Sequence, residues 1–409
     1  MPIQKFISHN WLNAKIVFLT IISLGLPVTV QGAALKIEEI AHVYTIAQQK
    51  SDTRLYLATR HGLYTTKSDG QATLLARKGD SFTSFAIATH NKNIMYASGK
   101  SASADNLGLL RSNDAGKTWQ RIDTDTKIES NYQNLVISPS DRKTLYATFK
   151  GLQVSHDSGQ HWTSVAAEPK GMIGFSVSAK DSKLLYAATR TGLLESKDGG
   201  KNWRDTNQFT LPVTMVQTTA DGGLYAFVVT RGLLHRATSS SDWREVNNQF
   251  GAQILLRLFP ATENMTTFYA VNQNGKPLIS SDKGKSWHRL STPSKPTNNK
   301  MVRAGEELFL AYCQTCHGLQ GVGENFTVQS LTEKNYIIAP PLNDSAHAWH
   351  HSDKDLMTTI MEGSPRASRM VAWKKLLSKQ NAQQLVAYIK SLWGKRELDC
   401  QGPKHMKCK

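Results

Sequence analysis

The chain has 409 residues, enough for at least two domains, and 40% of them are apolar. No apolar run beyond the N-terminal segment is long enough to span a bilayer, which excludes a chain that crosses the membrane with several helices. A formal net charge of +17 without any groove-reading motif points to an anionic protein or surface and not to nucleic acid, with plain solubility as the competing reason for the charge.

Residues 1–32 read as an export signal. Lys5 and Lys15 stand without an acid, Ile16 to Leu26 form an apolar stretch short for a membrane span, and the small residues Gly32, Ala33 and Ala34 follow. An uncleaved anchor running on to Val30 is the alternative. Either reading puts the rest of the chain on the periplasmic or extracellular side.

Residues 35–290 repeat with a period of about 43 residues. Four copies fit Ser-x-Asp-x-Gly-x-x-Trp: Ser112-Asp114-Gly116-Trp119, Ser155-Asp157-Gly159-Trp162, Ser196-Asp198-Gly200-Trp203 and Ser280-Asp282-Gly284-Trp287. Trp243 ends a degenerate fifth copy, and Thr66 to Thr73 is a worn sixth that keeps Gly70. A Leu-Tyr-Ala-like strand precedes each, at Tyr56, Tyr96, Tyr146, Tyr186, Tyr225 and Tyr269. Period-two stretches such as Asn134 to Ile137 and Thr144 to Thr148, then an Asp/Gly turn, then a strand opening on Trp, describe a small antiparallel sheet. The Asp is expected to accept turn amides, the Gly to take a left-handed conformation, and the Trp to pack on the next unit. A lone unit cannot hide its apolar face, so six are expected to close into a β-propeller.

These motifs resemble the Asp-box, or BNR, repeats of sialidases, sortilin-type receptors and the photosystem II stability factors. The resemblance implies that the Asp boxes are structural turns on the outside of the blades. A sialidase would also carry an Arg-Ile-Pro segment, an arginine triad and a Tyr/Glu pair; no Arg-Ile-Pro occurs here, which argues against glycosidase activity. Four residues after the repeat tyrosines come Arg60, Lys100, Lys150 and Arg190, with Arg231 two residues further on in the fifth unit. With the tyrosine strand second in each blade, these residues ring one mouth of the channel on the face opposite the Asp boxes. They would dock an acidic protein or bind an anion, or simply be solvated turn residues.

Residues 291–299 are polar, contain Pro293 and Pro296, and lack periodicity, so they read as a linker. The period then changes to 3.6. Helices are expected from about Val302 to Tyr312, with Gly305, Leu308 and Phe309 on one face; from Asp355 to Glu362; and after Ser378, an N-cap, carrying Leu385, Val386, Tyr388, Ile389 and Leu392. At the end of the first comes Cys313-Gln314-Thr315-Cys316-His317, the C-x-x-C-H attachment signature of c-type haem. Its thiols, one helical turn apart, suit addition to two vinyl groups, and the adjacent imidazole suits the iron. A redox dithiol or half of a zinc site is the other reading of C-x-x-C; the following His317 and the export signal argue against it.

This region, about residues 300–394, resembles the class I cytochromes c. The resemblance implies an all-α domain in which Gly305 and Phe309 meet Tyr388 where the first and last helices cross. It implies that the Pro340 carbonyl in Ala339-Pro340-Pro341-Leu342 accepts from the proximal His317. It further implies that Met370 in Met370-Val371-Ala372-Trp373 is the sixth ligand, favouring the ferrous state. Met357 and Met361 read as core of the middle helix. Histidine from His347-Ala-Trp349-His350-His351 is the rival ligand, and Trp349 or Trp373 could reach a propionate. In the tail, residues 395–409, Cys400 and Cys408 flank a Gly-Pro turn and suit a disulfide in an oxidising compartment; reduced, with His405 and Met406, they would suit Cu(I).

The reading is therefore a multidomain chain, an all-β six-bladed propeller followed by an all-α cytochrome c domain. It would be a periplasmic carrier of single electrons on one covalent haem c, without a substrate of its own, docking a redox partner or a membrane respiratory complex through the propeller. Two alternatives remain: an assembly or scaffold factor of a membrane redox complex, and a propeller dehydrogenase that passes electrons to the haem.

Overall fold

The computed structural model describes residues 35–403 except 41, 50–53, 67–70, 89, 104, 124–129, 239–241, 262–265, 291–298, 334 and 346. The export segment, most of the linker and the tail beyond Pro403 lie outside the described residues.

Six antiparallel sheets follow one another along the chain, each in simple up-and-down order. The innermost strands are Val43–Gln48, Ser81–Ile87, Gln133–Ile137, Met172–Val177, Val213–Thr218 and Leu255–Pro260 in blades one to six. Each repeat tyrosine stands on the second strand of its blade, for example Tyr146 on Leu145–Thr148 and Tyr269 on Phe268–Asn272. Second strands such as Leu185–Thr189 are buried on both faces, which explains their continuous small-apolar sequence. The two-residue strand Leu35–Lys36 adds to the outer edge of blade one. The ring closes by packing: Ala261, Tyr269 and Val271 of blade six share a core with Val43, Ile46 and Leu55 of blade one.

The Asp boxes join third to fourth strands. Ser112 Oγ accepts from Gly116 N at 2.8 Å and donates to Asp114 Oδ1 at 2.8 Å, and Asp114 accepts from Thr118 N at 2.9 Å. The same bonds recur at Ser155, Ser196 and Ser280. The hydroxyl of Thr118 and its amide hold Asp114 down to about 2, and the amide and side chain of Asn202 do the same for Asp198. Glycine is needed both for φ and for room. Gly200 has φ +92°, and a Cβ there would lie 2.1 Å from Leu152 Cδ2 in the blade before. The tryptophans correct the expected direction of packing. Trp203 joins Tyr146 and Leu152 of blade three, and Trp287 joins Tyr225 and Leu233 of blade five, so each seals its blade against the preceding one. The up-and-down path that brings the Asp-box turn back over the third strand makes the earlier blade its nearest neighbour.

The C-terminal domain is helical: α1 (Lys300–Tyr312), α2 (Gln314–His317), α3 (Val328–Thr332), α4 (Asp353–Glu362), α5 (Lys379–Ser391) and α6 (Lys395–Asp399). Asn299 caps α1 and Ser378 caps α5, each accepting from an amide of the first turn. At the crossing of α1 and α5, Gly305 lies against the Gln384 carbonyl and the rings of Phe309 and Tyr388 stand 5.1 Å apart. Leu356, Ile360, Leu385 and Ile389 fill the core around them, with Met357 and Met361 packed at its edge.

The helical domain is fastened to blades five and six. The loop after blade five bonds to the segment after the haem motif, with Ala252 N donating to Val322 O at 3.2 Å and Gly251 N to Asn325 Oδ1 at 2.5 Å. Asn274 Nδ2 donates to Ser345 O at 2.5 Å. Buried Asp344 pairs with Arg289 and with Lys276, which also reaches Glu397 at 3.4 Å. Burial raises the pKa of Asp344 against the two cations.

Candidate functional site

The residues of the C-x-x-C-H motif sit where α1 gives way to α2. Cys313 ends α1 and caps α2, and the amides of Cys316 and His317 both donate to its carbonyl, at 3.2 and 2.9 Å. Both thiols are free; Cys313 is half-buried and Cys316 exposed. Burial, with the neighbouring Cys316, pushes the Cys313 thiol up to about 11. A reactive dithiol has the opposite shift, so the redox-dithiol reading loses support. Among the described residues, no group of three or more His, Cys, Asp or Glu side chains is placed to hold a metal ion.

His317 is buried, and its Nδ1 lies 2.9 Å from the Pro340 carbonyl oxygen. A carbonyl only accepts, so Nδ1 carries the proton and Nε2 keeps its lone pair. Burial lowers the pKa of this imidazole, which keeps it neutral and fit to ligate. The loop after the motif folds back, with Gly323 N donating to His317 O at 2.7 Å.

Glu324 is the residue that reading the sequence missed. Its amide donates to Ala339 O at 3.0 Å and its carboxylate accepts from Ala339 N at 2.9 Å, so it holds the segment that presents Pro340. The same carboxylate takes both terminal nitrogens of Arg369 at 2.8 Å, and the Arg369 guanidinium stacks 5.0 Å over the Tyr336 ring. The Pro340 loop and the Met370 loop are thereby tied together. No local motif marks the pair, because 45 residues separate its members.

Met370 is half-buried in the loop between α4 and α5; its carbonyl accepts from Ser364 N at 3.0 Å and its amide donates to Ala367 O at 2.9 Å. Trp373 is half-buried, packs 5.6 Å from the Tyr312 ring and donates its amide to Ile360 O. Of the histidine cluster, His347 to His350 form a 3₁₀ turn leading into α4, and Trp349 packs in the helical core beneath Arg396. Cys400 is buried and disulfide-bonded, which removes a thiolate that a Cu(I) site in the tail would need; Cys408 lies outside the described residues.

The residues fit a haem. Among the described residues the large hydrophobic side chains left exposed belong to the helical domain, and four of the ten lie close to the motif residues in the chain: Tyr312 before Cys313, Leu319 after His317, Ile337 before Pro340 and Val371 after Met370. Uncovered apolar groups around a buried neutral imidazole and two free thiols are what a flat apolar macrocycle would cover.

Fold and site together define a BNR-type six-bladed propeller followed by a cytochrome c domain. Residues 300–389 match the family model for cytochrome c oxidase, cbb3-type, subunit III, which implies binding of haem c and a part in electron transfer. Residues 108–224 match the family model for sortilin, neurotensin receptor 3. Among solved structures, a GH74 xyloglucanase from Xanthomonas campestris is 18% identical over 63% of this chain and 46% of its own, with a TM-score of 0.48. YCF48 bound to D1 peptide is 17% identical over 63% of this chain and 84% of its own, with a TM-score of 0.42. YCF48 from Cyanidioschyzon merolae is 17% identical over 63% and 87%, with a TM-score of 0.40. The chain spans about half the length of the GH74 enzymes it matches, and at these identities the likeness is one of fold. No curated protein matches the chain in sequence. Among the described residues no helix is long and apolar enough to cross a membrane.

Proposed function

We propose that the chain is an exported c-type cytochrome that passes single electrons through one haem, bound covalently by Cys313 and Cys316 and ligated by His317 Nε2 and the Met370 sulfur. The observation that carries this reading is the Nδ1 to Pro340 contact on a buried imidazole beside two free thiols. The haem supplies a one-electron couple when bound. Pro340 fixes the tautomer of His317 and strengthens it as a donor. The thioether of Met370 favours the ferrous state. Glu324 holds the two ligand-bearing loops in register through Ala339 and Arg369, and the apolar side chains around the motif exclude water.

The propeller docks an acidic redox partner, such as a periplasmic protein or a membrane respiratory complex. Arg60, Lys150, Arg190 and Arg231 are exposed at turns between second and third strands, and Lys100 is exposed at the end of its second strand, which supports this role. In blade six the equivalent turn carries Gln273 and Asn274 and is taken up by the helical domain.

The test is the purified protein, expressed with a haem-maturation system. The denatured chain keeps its colour, its intact mass exceeds the polypeptide by one haem, and the ferric protein shows a weak near-infrared sulfur-to-iron band that Met370→Ala abolishes. A colourless denatured chain would overturn covalent attachment, and a band that survives Met370→Ala would overturn the assignment of Met370 as a ligand.

A further inference from the structure

An axial cavity of about 920 Å³ is lined by the innermost strands of all six blades. Its lining continues onto the Asp-box face, through Pro139, Ala179, Asp221 and Lys283, and includes none of the basic turns of the opposite face. At that far end lies Arg257, half-buried on the innermost strand of blade six. Its Nη2 donates to Asn134 Oδ1 of blade three at 2.8 Å, and its Nη1 donates to the Leu256 carbonyl at 2.7 Å. Gly174 of blade four faces it, and a Cβ added there would stand in ordinary contact with Nη1, at 3.5 Å.

Arg257 bonds only neutral groups. Two of its five N–H donors are committed, burial depresses its pKa with no acid to offset the effect, and the one carboxylate in the lining, Asp221, is bonded to Thr219 at the exposed mouth. A cation drawn partly out of water without a counter-ion carries a desolvation cost, and an anion that enters offsets it. The planar fork suits a carboxylate. Beyond it the walls are largely apolar, with Val136, Phe175, Val216 and Phe259, while the Ser176 and Thr218 hydroxyls bond each other at 3.0 Å. An inorganic anion would leave that surface bare.

We propose that this cavity binds a small organic carboxylate, its carboxyl on Arg257 and Asn134 and its apolar body extended toward the Asp-box face. Isothermal titration calorimetry on the full-length haem-loaded protein tests it, with hexanoate as probe and hexanamide and inorganic phosphate as controls. Hexanoate binds saturably, and Arg257→Met weakens it by about tenfold or more. Gly174→Val, which keeps the charge but fills the space before it, does the same, and decides the matter if Arg257→Met does not fold. The proposal is overturned if hexanoate shows no saturable binding across the millimolar range, if hexanamide or phosphate binds as tightly, or if a folded variant binds like the parent.

Discussion

Gly305→Ala should loosen the helical domain even though alanine is the better helix former. A Cβ at residue 305 would fall 1.9 Å from the Gln384 carbonyl oxygen, 2.6 Å from its carbon and 2.9 Å from Tyr388 Cβ. Two of the three are backbone atoms, so no rotamer relieves the clash and α1 has to move off α5 by about 1.5 Å to reach ordinary contact. Overpacking of this kind costs about 1–3 kcal/mol. The same shift opens the fully buried Phe309 against Tyr388, and forfeiting a quarter to a half of such packing adds about 1–2 kcal/mol. Helix propensity returns only about 1 kcal/mol. The net loss is therefore about 1–4 kcal/mol. Guanidinium unfolding of the haem-loaded protein, followed by helical ellipticity and by haem absorption, should show the helical-domain transition at lower denaturant with the propeller transition in place. A variant as stable as the parent would refute the argument from close approach.

Gly200→Ala should destabilise the propeller by about 2–4 kcal/mol, from left-handed strain and the 2.1 Å approach to Leu152. Gly199→Ala, whose nearest neighbour is the Tyr146 hydroxyl at 3.1 Å, should cost less; equal thermal shifts would contradict this. Glu324→Gln should weaken the clasp on Arg369 by about 1 kcal/mol after solvent screening, since the arginine is partly exposed. Amide exchange at Ser364 and Met370 should then speed up about fivefold, and unchanged exchange would count against the clasp. Asp344→Ala takes the carboxylate from Arg289, while Lys276 keeps Glu397, and should cost about 2 kcal/mol, less than a fully buried pair because both cations keep some exposure. Calorimetry should show it as separation of the propeller and helical transitions. Asp114 and Asp198 are held at about 2 in the folded chain, below the usual 3.8. Their stabilisation is present above about pH 4 and is lost as pH falls toward 2. Asp114→Asn with Asp198→Asn should flatten the acid unfolding curve of tryptophan fluorescence in that window.

The propeller was legible because each blade repeats its own turn chemistry: Ser112, Asp114, Gly116 and Trp119 make bonds that are all within a few residues. The helical pattern of Gly305, Phe309, Leu385 and Tyr388 was legible for the same local reason. Contacts between distant segments were legible only where the resemblance to class I cytochromes c supplied them, as for Pro340 with His317 and Phe309 with Tyr388. Glu324 with Arg369, Arg257 with Asn134, and Asp344 with Arg289 are charges or amides that sequence alone leaves looking like solvated surface, since only the folded path brings them together. The packing of Trp203 on the earlier blade depends on the direction in which the chain circles the ring, which a repeat unit does not encode. The helices α3 and α6, five residues each, are too short to show a period.

The bonds from Gly251 and Ala252 to Asn325 and Val322 bear on how traffic through this molecule is organised. A redox module on a free tether commutes between donor and acceptor, and its turnover follows the swing. Here the segment that returns to His317 is stitched to a stationary wheel, so the redox centre behaves as a fixed post. On the proposed function, donor and acceptor would each travel to it, and how well the rim selects its visitors would govern throughput.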